Sequence, residues 1–315
     1  MYINYFLVNT ILSKYYSGDV LKMVSLCIKS NNTNVINYLI DNISSVNLEN
    51  IIFLKKKFSK YTNIILHYAG NNIYEFYNKI SEVITNCIIS NYENSIIQNL
   101  LLLDYFYFDN IDLNFIKNNC IDILSKKNVN SLDSSIRNVV IDRKHYLWEA
   151  ISNHISCNKS LFLDAFITFK ISDYIKCLDS ILDFVINKFV VNKEYSEFIN
   201  MLKIYIKSKP ANSNVIHLIY QNEESILLDE NKNIIALAKN NLDKCYLSDI
   251  SFSSNDYALN SLLSFLPKKL IVHLIGSSDD FINTLTLIFE DRVSICNNCS
   301  ICKTYKLLNI QNNLK

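Results

Sequence analysis

Glycine is nearly missing from the sequence. Gly18, Gly70 and Gly276 are the three glycines among 315 residues, and Pro210 and Pro267 are the two prolines. Loops that cradle phosphates need several closely spaced glycines, because backbone N–H groups must approach the phosphate with no Cβ in the way. Walker-type and dinucleotide loops are therefore excluded, and no G-x-S-x-G nucleophile elbow can be written. Arginine is scarce as well: Arg137, Arg143 and Arg292 stand against 28 lysines. The 31 basic and 30 acidic residues leave a formal charge of +1, which supplies no field for nucleic acid or an anionic membrane surface. Lys55-Lys56-Lys57 reads as a solvated helix end. No uninterrupted run of about 18 apolar residues occurs; SIIQNLLLLDYFYF is cut by Gln98, Asn99 and Asp104. The opening MYINYFLVNTILSKYYSGD lacks the basic flank and small-residue cleavage site of a signal peptide. The expectation is a protein of the cytoplasm or nucleus, not a secreted one.

What is present points first to a core. Half of the chain is apolar, enough to bury a sizeable interior. The nine cysteines are odd in number and cannot all pair within one molecule, so they read as reduced thiols. Cys27, Cys87, Cys120, Cys157, Cys177 and Cys245 lie within apolar stretches and read as buried free thiols. His67, His145, His154, His217 and His273 are dispersed, with no H-E-x-x-H pair. The stretch DRKHYLWEA gathers Asp142, Arg143, His145 and Glu149 in one or two helical turns. It could offer acid, base and cation together, yet it reads better as a helix with Tyr146 and Trp148 packed and its charges outward. No catalytic residue is assigned, and neither an enzyme nor a small-molecule substrate is expected.

Asparagine dominates the polar positions, with 44 copies. Asn, Lys, Ile, Tyr and Phe share AT-rich codons, so part of this bias belongs to the genome. No Asn-Gly hairpin signal occurs. Asn enters the left-handed region at tolerable cost, and Asn31-Asn32, Asn71-Asn72, Asn118-Asn119 and Asn240-Asn241 all fall where the apolar periodicity breaks. Short helices joined by Asn-rich turns give an all-α fold. CIKSNNTNVI at 27–36 matches CIISNYENSI at 87–96 at an offset of 60, and AISN at 150–153 repeats its start. These offsets predict stacked antiparallel helix pairs sharing one core. Leu26, Ile28, Val35, Ile36, Leu39 and Ile40 are then packing residues. Three regions are expected: helical repeats over 1–140, further helix pairs over 141–250, and a helical module with a cysteine-rich tail over 251–315.

LCIKSNNTNVINYLIDNISSVN resembles the helix–turn–helix half of an ankyrin repeat, and CIDILSKKNVN at 120–130 resembles the second helix and exit of another. Leu266, Pro267, Leu270, Leu274 and Ile275, followed by Asp280-Phe281, resemble the opening of an F-box. Together the two stretches are similar to the poxviral ankyrin-repeat proteins with an F-box-like (PRANC) tail. That resemblance implies protein–protein recognition: a host target held by the repeats, and the Skp–cullin ubiquitin ligase engaged through Leu266, Pro267, Leu270, Leu274 and Ile275. The alternative is a structural helical-repeat subunit of a larger assembly, with no ligase link.

The last feature is CNNCSIC, with Cys296, Cys299 and Cys302. Three thiolates at this spacing can reach one ion, and zinc wants four ligands in a tetrahedron. Cys245 and His273 are the candidates for the fourth. An iron–sulfur cluster fits less well, because its fourth cysteine followed by proline is missing. The bland alternative is three thiols in an exposed tail with no metal. No cofactor other than zinc is expected.

Overall fold

Residues 24–30, expected to open a helix pair, form a strand. The computed structural model describes residues 23–46, 50–125, 132–235 and 253–312, and divides the chain into two units, Met1–Val190 and Val191–Lys315. Each carries a four-stranded mixed sheet. The all-α expectation is therefore wrong, and with it the stacked helix pairs, the ankyrin-like solenoid and the purely helical C-terminal module.

In the first unit β1 (Val24–Ser30) pairs antiparallel with β3 (Thr62–Tyr68), which pairs antiparallel with β2 (Ile51–Lys57); the short β4 (Ser160–Phe162) lies parallel to β1 on its other side. The spatial order is β2-β3-β1-β4. Leu26 and Ile28 sit opposite Leu66 and Ile64. All four are fully buried, as a period of two demands of one sheet face. Between the strands runs α1 (Thr33–Ser45), capped by the Asn32 side chain, which accepts from Asn34 N–H at 2.9 Å. Likewise Asn72 caps α2 (Ile73–Asp104) through Glu75 N–H at 3.0 Å. The asparagine pairs at 31–32 and 71–72 thus start helices after strands, and do not join one helix to the next. Asn118-Asn119 lies inside α3 (Asn110–Ser125); Asn240-Asn241 lies outside the described residues.

The remaining helices of this unit are α4 (Ser134–Cys157), α5 (Leu163–Phe169) and the start of α6 (Ser172–Ser208), within which the boundary between units falls. Phe76 of α2 stacks on Tyr68 of β3 with centroids 4.9 Å apart, beginning a buried stripe continued by Ile80, Ile84 and Ile88. A buried polar knot ties α2, α4 and α6 together. Glu93 accepts from Tyr174 Oη at 2.6 Å and from Arg143 Nε at 3.2 Å. Arg143 also donates to the Val140 and Leu124 carbonyls. The DRKH stretch is helical, but its arginine points inward. Lys55, Lys56 and Lys57 sit on the exposed half of edge strand β2, not at a helix end.

The second unit contains β5 (Ser213–Gln221), β6 (Glu224–Leu228), α7 (Ser254–Phe265), β7 (Pro267–Ile275), α8 (Asp280–Phe289), β8 (Val293–Cys296) and α9 (Ser300–Asn312). The sheet order is β6-β5-β7-β8, antiparallel between β6 and β5 and parallel thereafter. Gly276 closes β7 at φ +127°, a conformation that glycine adopts without a Cβ clash. One face of the sheet carries a full core: Ile216, Leu218, Leu270 and Val272 pack with buried residues of α6, α7 and α8. The opposite face has a far smaller one. There the buried cluster is Ile219, Leu228, Ile275 and Cys302, with Ile301 and Tyr305 of α9 half-buried against it. The three arginines of the chain share a habit: Arg137 donates to the Leu132 carbonyl, Arg143 to two carbonyls, and Arg292 to those of Pro267 and Ile206. No helix among the described residues is long and apolar enough to cross a membrane.

A candidate metal centre

Beneath α9 the thin face of the second sheet gathers four ligand groups. His273 stands on β7 in phase with Ile275, and is 3 % exposed. Its neighbour across the parallel β7–β8 ladder is Cys296. After Cys296 the Asn297-Asn298 turn leads into α9. The Cys299 carbonyl accepts the first helical bond, from Lys303 N–H at 3.0 Å. Cys302 follows one turn later on the same helix face and is fully buried. A strand end, a turn and a helix start thus bring their thiols to one point.

The distances have the dimensions of a coordination tetrahedron. Cys299 Sγ lies 3.6 Å from Cys302 Sγ, and Cys302 Sγ lies 3.9 Å from Cys296 Sγ. His273 Nδ1 lies 3.3 Å from Cys299 Sγ and 3.4 Å from Cys302 Sγ. Zn–S bonds of about 2.3 Å and Zn–N bonds of about 2.0 Å in a regular tetrahedron imply S–S edges of about 3.8 Å and S–N edges of about 3.5 Å. All four ligand atoms fall within 4.8 Å of one another. Little rearrangement separates this arrangement from a Cys3His zinc site.

The electrostatics suit it. Burial, followed by the neighbouring His217 and Lys232, lowers the His273 pKa and favours the neutral ring that a metal needs. Burial pushes the Cys302 thiol up to about 11. Burial would also raise Cys299, but hydrogen bonds from the backbone and thiol of Cys302, the Cys296 thiol and Ile301 N–H outweigh it, and its pKa is lowered. Behind the ligands stands His217 of β5. Its Nδ1 lies 2.9 Å from His273 Nε2, with the two rings 16° from parallel. If Nδ1 of His273 takes the ion, Nε2 carries the proton and donates it to His217. That contact fixes both tautomer and ring orientation.

The family profile that matches this chain is that of the YtxC-like family, over residues 78–294. The chain belongs to the YtxC-like family. Among curated proteins, "Uncharacterized protein YtxC" of Bacillus subtilis (strain 168) is 22 % identical over 135 residues, covering 42 % of this chain and 47 % of the relative. The alignment thus spans about half the length of that curated protein. No solved structure matches. The YtxC-like match contains His217 and His273 and stops short of Cys296, Cys299 and Cys302.

YtxC-like membership overturns the poxviral ankyrin and PRANC resemblance and the ubiquitin-ligase adaptor that it implied, and the two mixed sheets overturn the helical-repeat subunit given as the alternative. The residues behind that resemblance have other roles. Leu266 caps α7 in the left-handed region at φ 42°, and Pro267 opens β7, where a missing N–H is tolerated. Leu270 and Ile275 are buried on opposite faces of the sheet, while Leu274 is half-buried. A helical stripe facing an adaptor does not exist here.

Of the expected metal ligands, Cys296, Cys299 and Cys302 come together, and His273 joins them; Cys245 lies outside the described residues. His217 was missed. A signal for it existed, because VIHLI at 215–219 and IVHLI at 271–275 are near copies, each a histidine amid strand-forming residues. Cys87 and Cys120 are buried, Cys27 and Cys177 are half-buried, and Cys157 is exposed.

Proposed function

We propose that this YtxC-like chain is a non-catalytic, metal-binding protein that carries one structural zinc ion on Cys296, Cys299, Cys302 and His273. The observation behind this reading is the set of near-tetrahedral S–S and S–N separations. Three thiolates and an imidazole are a donor set suited to zinc, and four protein ligands leave no open position for substrate water. The location supports a structural role, because the ion would lie where the sheet has little apolar core of its own. Thiolate ligands hold only in a reducing compartment, so the protein is assigned to the cytoplasm. Its near-zero formal charge argues against nucleic acid as a partner.

The test is metal analysis of protein purified without chelator, followed by replacement with cobalt(II). The expected result is one zinc per chain, and after exchange the intense visible bands of tetrahedral cobalt with thiolate charge-transfer absorption. Protein that holds no zinc after supplementation, or cobalt bound with the weak bands of an octahedral oxygen site, would sink the proposal.

A further inference from the structure

We infer that Cys299 is a site of oxidative modification by hydroperoxides, at which oxidation closes a Cys299–Cys302 disulfide and discharges the ion. This inference rests on the zinc reading above.

Geometry singles out Cys299. Its sulfur sits at the start of α9, 3.6 Å from Cys302 Sγ and 3.3 Å from His273 Nδ1, and as a zinc ligand it is a thiolate, the nucleophilic form. Cys299 is half-buried and so open to a small oxidant, whereas Cys302 is fully enclosed. The two sulfurs are 3.6 Å apart, closer than Cys302 is to Cys296 at 3.9 Å. The half-buried Cys299 sulfur therefore has a resolving thiol already against it. Cys87 and Cys120 are different, since burial pushes both thiols up to about 12 and keeps oxidants away.

The chemistry balances with hydrogen peroxide as the oxidant. The Cys299 thiolate attacks one peroxide oxygen and the O–O bond breaks, giving a sulfenic acid and hydroxide. The Cys302 thiolate then attacks the sulfenic sulfur, the S–O bond breaks, and the oxygen leaves as a second hydroxide, which solvent protonates. Two thiolates are oxidised by two electrons and one peroxide is reduced. Zinc is left with Cys296 and His273 alone, too few ligands to hold it. Since among the described residues α9 adds buried Cys302 to only three other buried side chains, Ile219, Leu228 and Ile275, loss of the ion loosens the helix as well.

The experiment uses the full chain carrying Cys157→Ser, which removes the one thiol outside the cluster that is exposed among the described residues. Zinc is measured first, hydrogen peroxide is then added stepwise, zinc release is followed with a chromogenic chelator, and disulfides are mapped by non-reducing peptide mass spectrometry. The expected result is one zinc released per Cys299–Cys302 disulfide, reversed by a dithiol reductant and added zinc. Release without that disulfide, or with oxidation confined to Cys296, overturns the inference. Metal content before the oxidant separates two failures. A chain without zinc at that point overturns the zinc reading and this inference with it, whereas a loaded chain that keeps its zinc under peroxide overturns this inference alone.

Discussion

Removing the ion should release α9 while the rest of the second unit stays folded. Among the described side chains, α9 buries Cys302 fully and Ile301 and Tyr305 by about half. Half-burial of two such side chains contributes about 2 kcal/mol, against an ordering cost of about 1 kcal/mol or more for every backbone residue fixed. Packing alone is a weak tether for this helix. Structural zinc sites provide on the order of 10 kcal/mol at neutral pH, and at free zinc of about 100 times Kd the ion adds about 2.7 kcal/mol to any opening that must release it. Hydrogen exchange reads this directly. Chelation should lower protection of the α9 amides by about 100-fold or more. Amides of β5, whose Ile216, Leu218 and Tyr220 pack in the larger core on the opposite face, should change little. If a chain shown to be free of metal keeps its α9 protection, the ion is not what holds the helix. Equal loss throughout both sheets would refute the local character of the coupling.

Replacing His217 with alanine should weaken zinc binding by about 10- to 100-fold, measured by competition with a chelator of known affinity; His217→Gln, which keeps an acceptor for His273 Nε2–H, should recover part of the loss. Arg143→Ala should cost about 3–5 kcal/mol, read from the urea midpoint, because it leaves the Glu93 carboxylate in a site where both partners are nearly nine-tenths buried. Pairing it with Glu93→Gln should restore part of that stability. Asn72→Ala should cost about 1 kcal/mol through loss of the α2 cap, whereas the same change at Asn118, inside α3, should leave the melting temperature nearly unmoved.

The cysteines and the histidines of the candidate site differ in how legible they are in the sequence. The three thiols are readable because a candidate ligand set built within one turn and one helix start is local in sequence. His273 needed a guess, and His217 needed the β5–β7 pairing, which no local pattern states. The fold misreading has a definite cause. CIKSNNTNVI and CIISNYENSI share composition, yet the first spans a strand, a turn and a helix start, and the second lies inside the 32-residue α2. Isoleucine serves either state, and for runs this short the alternation of a strand and the period of a helix overlap. What separated them was tertiary. Leu26 and Ile28 found Leu66 and Ile64 across a ladder, whereas Cys87 and Ile88 found the buried stripe of a long helix. Asparagine misled in the same way, because the residue that can end a helix is also among the best at beginning one.

The arginines have a consequence for how such a chain changes over generations. AT-rich codon usage favours lysine over arginine, and the chain holds three arginines beside 28 lysines. Each arginine hands at least one N–H to a backbone carbonyl, and Arg143 and Arg292 each bridge two. A lysine ammonium on its flexible stem cannot span two fixed oxygens as a planar guanidinium does. At Arg143 and Arg292 the planar fork is therefore the requirement, and at Arg143 the positive charge is required as well, for the buried Glu93 carboxylate.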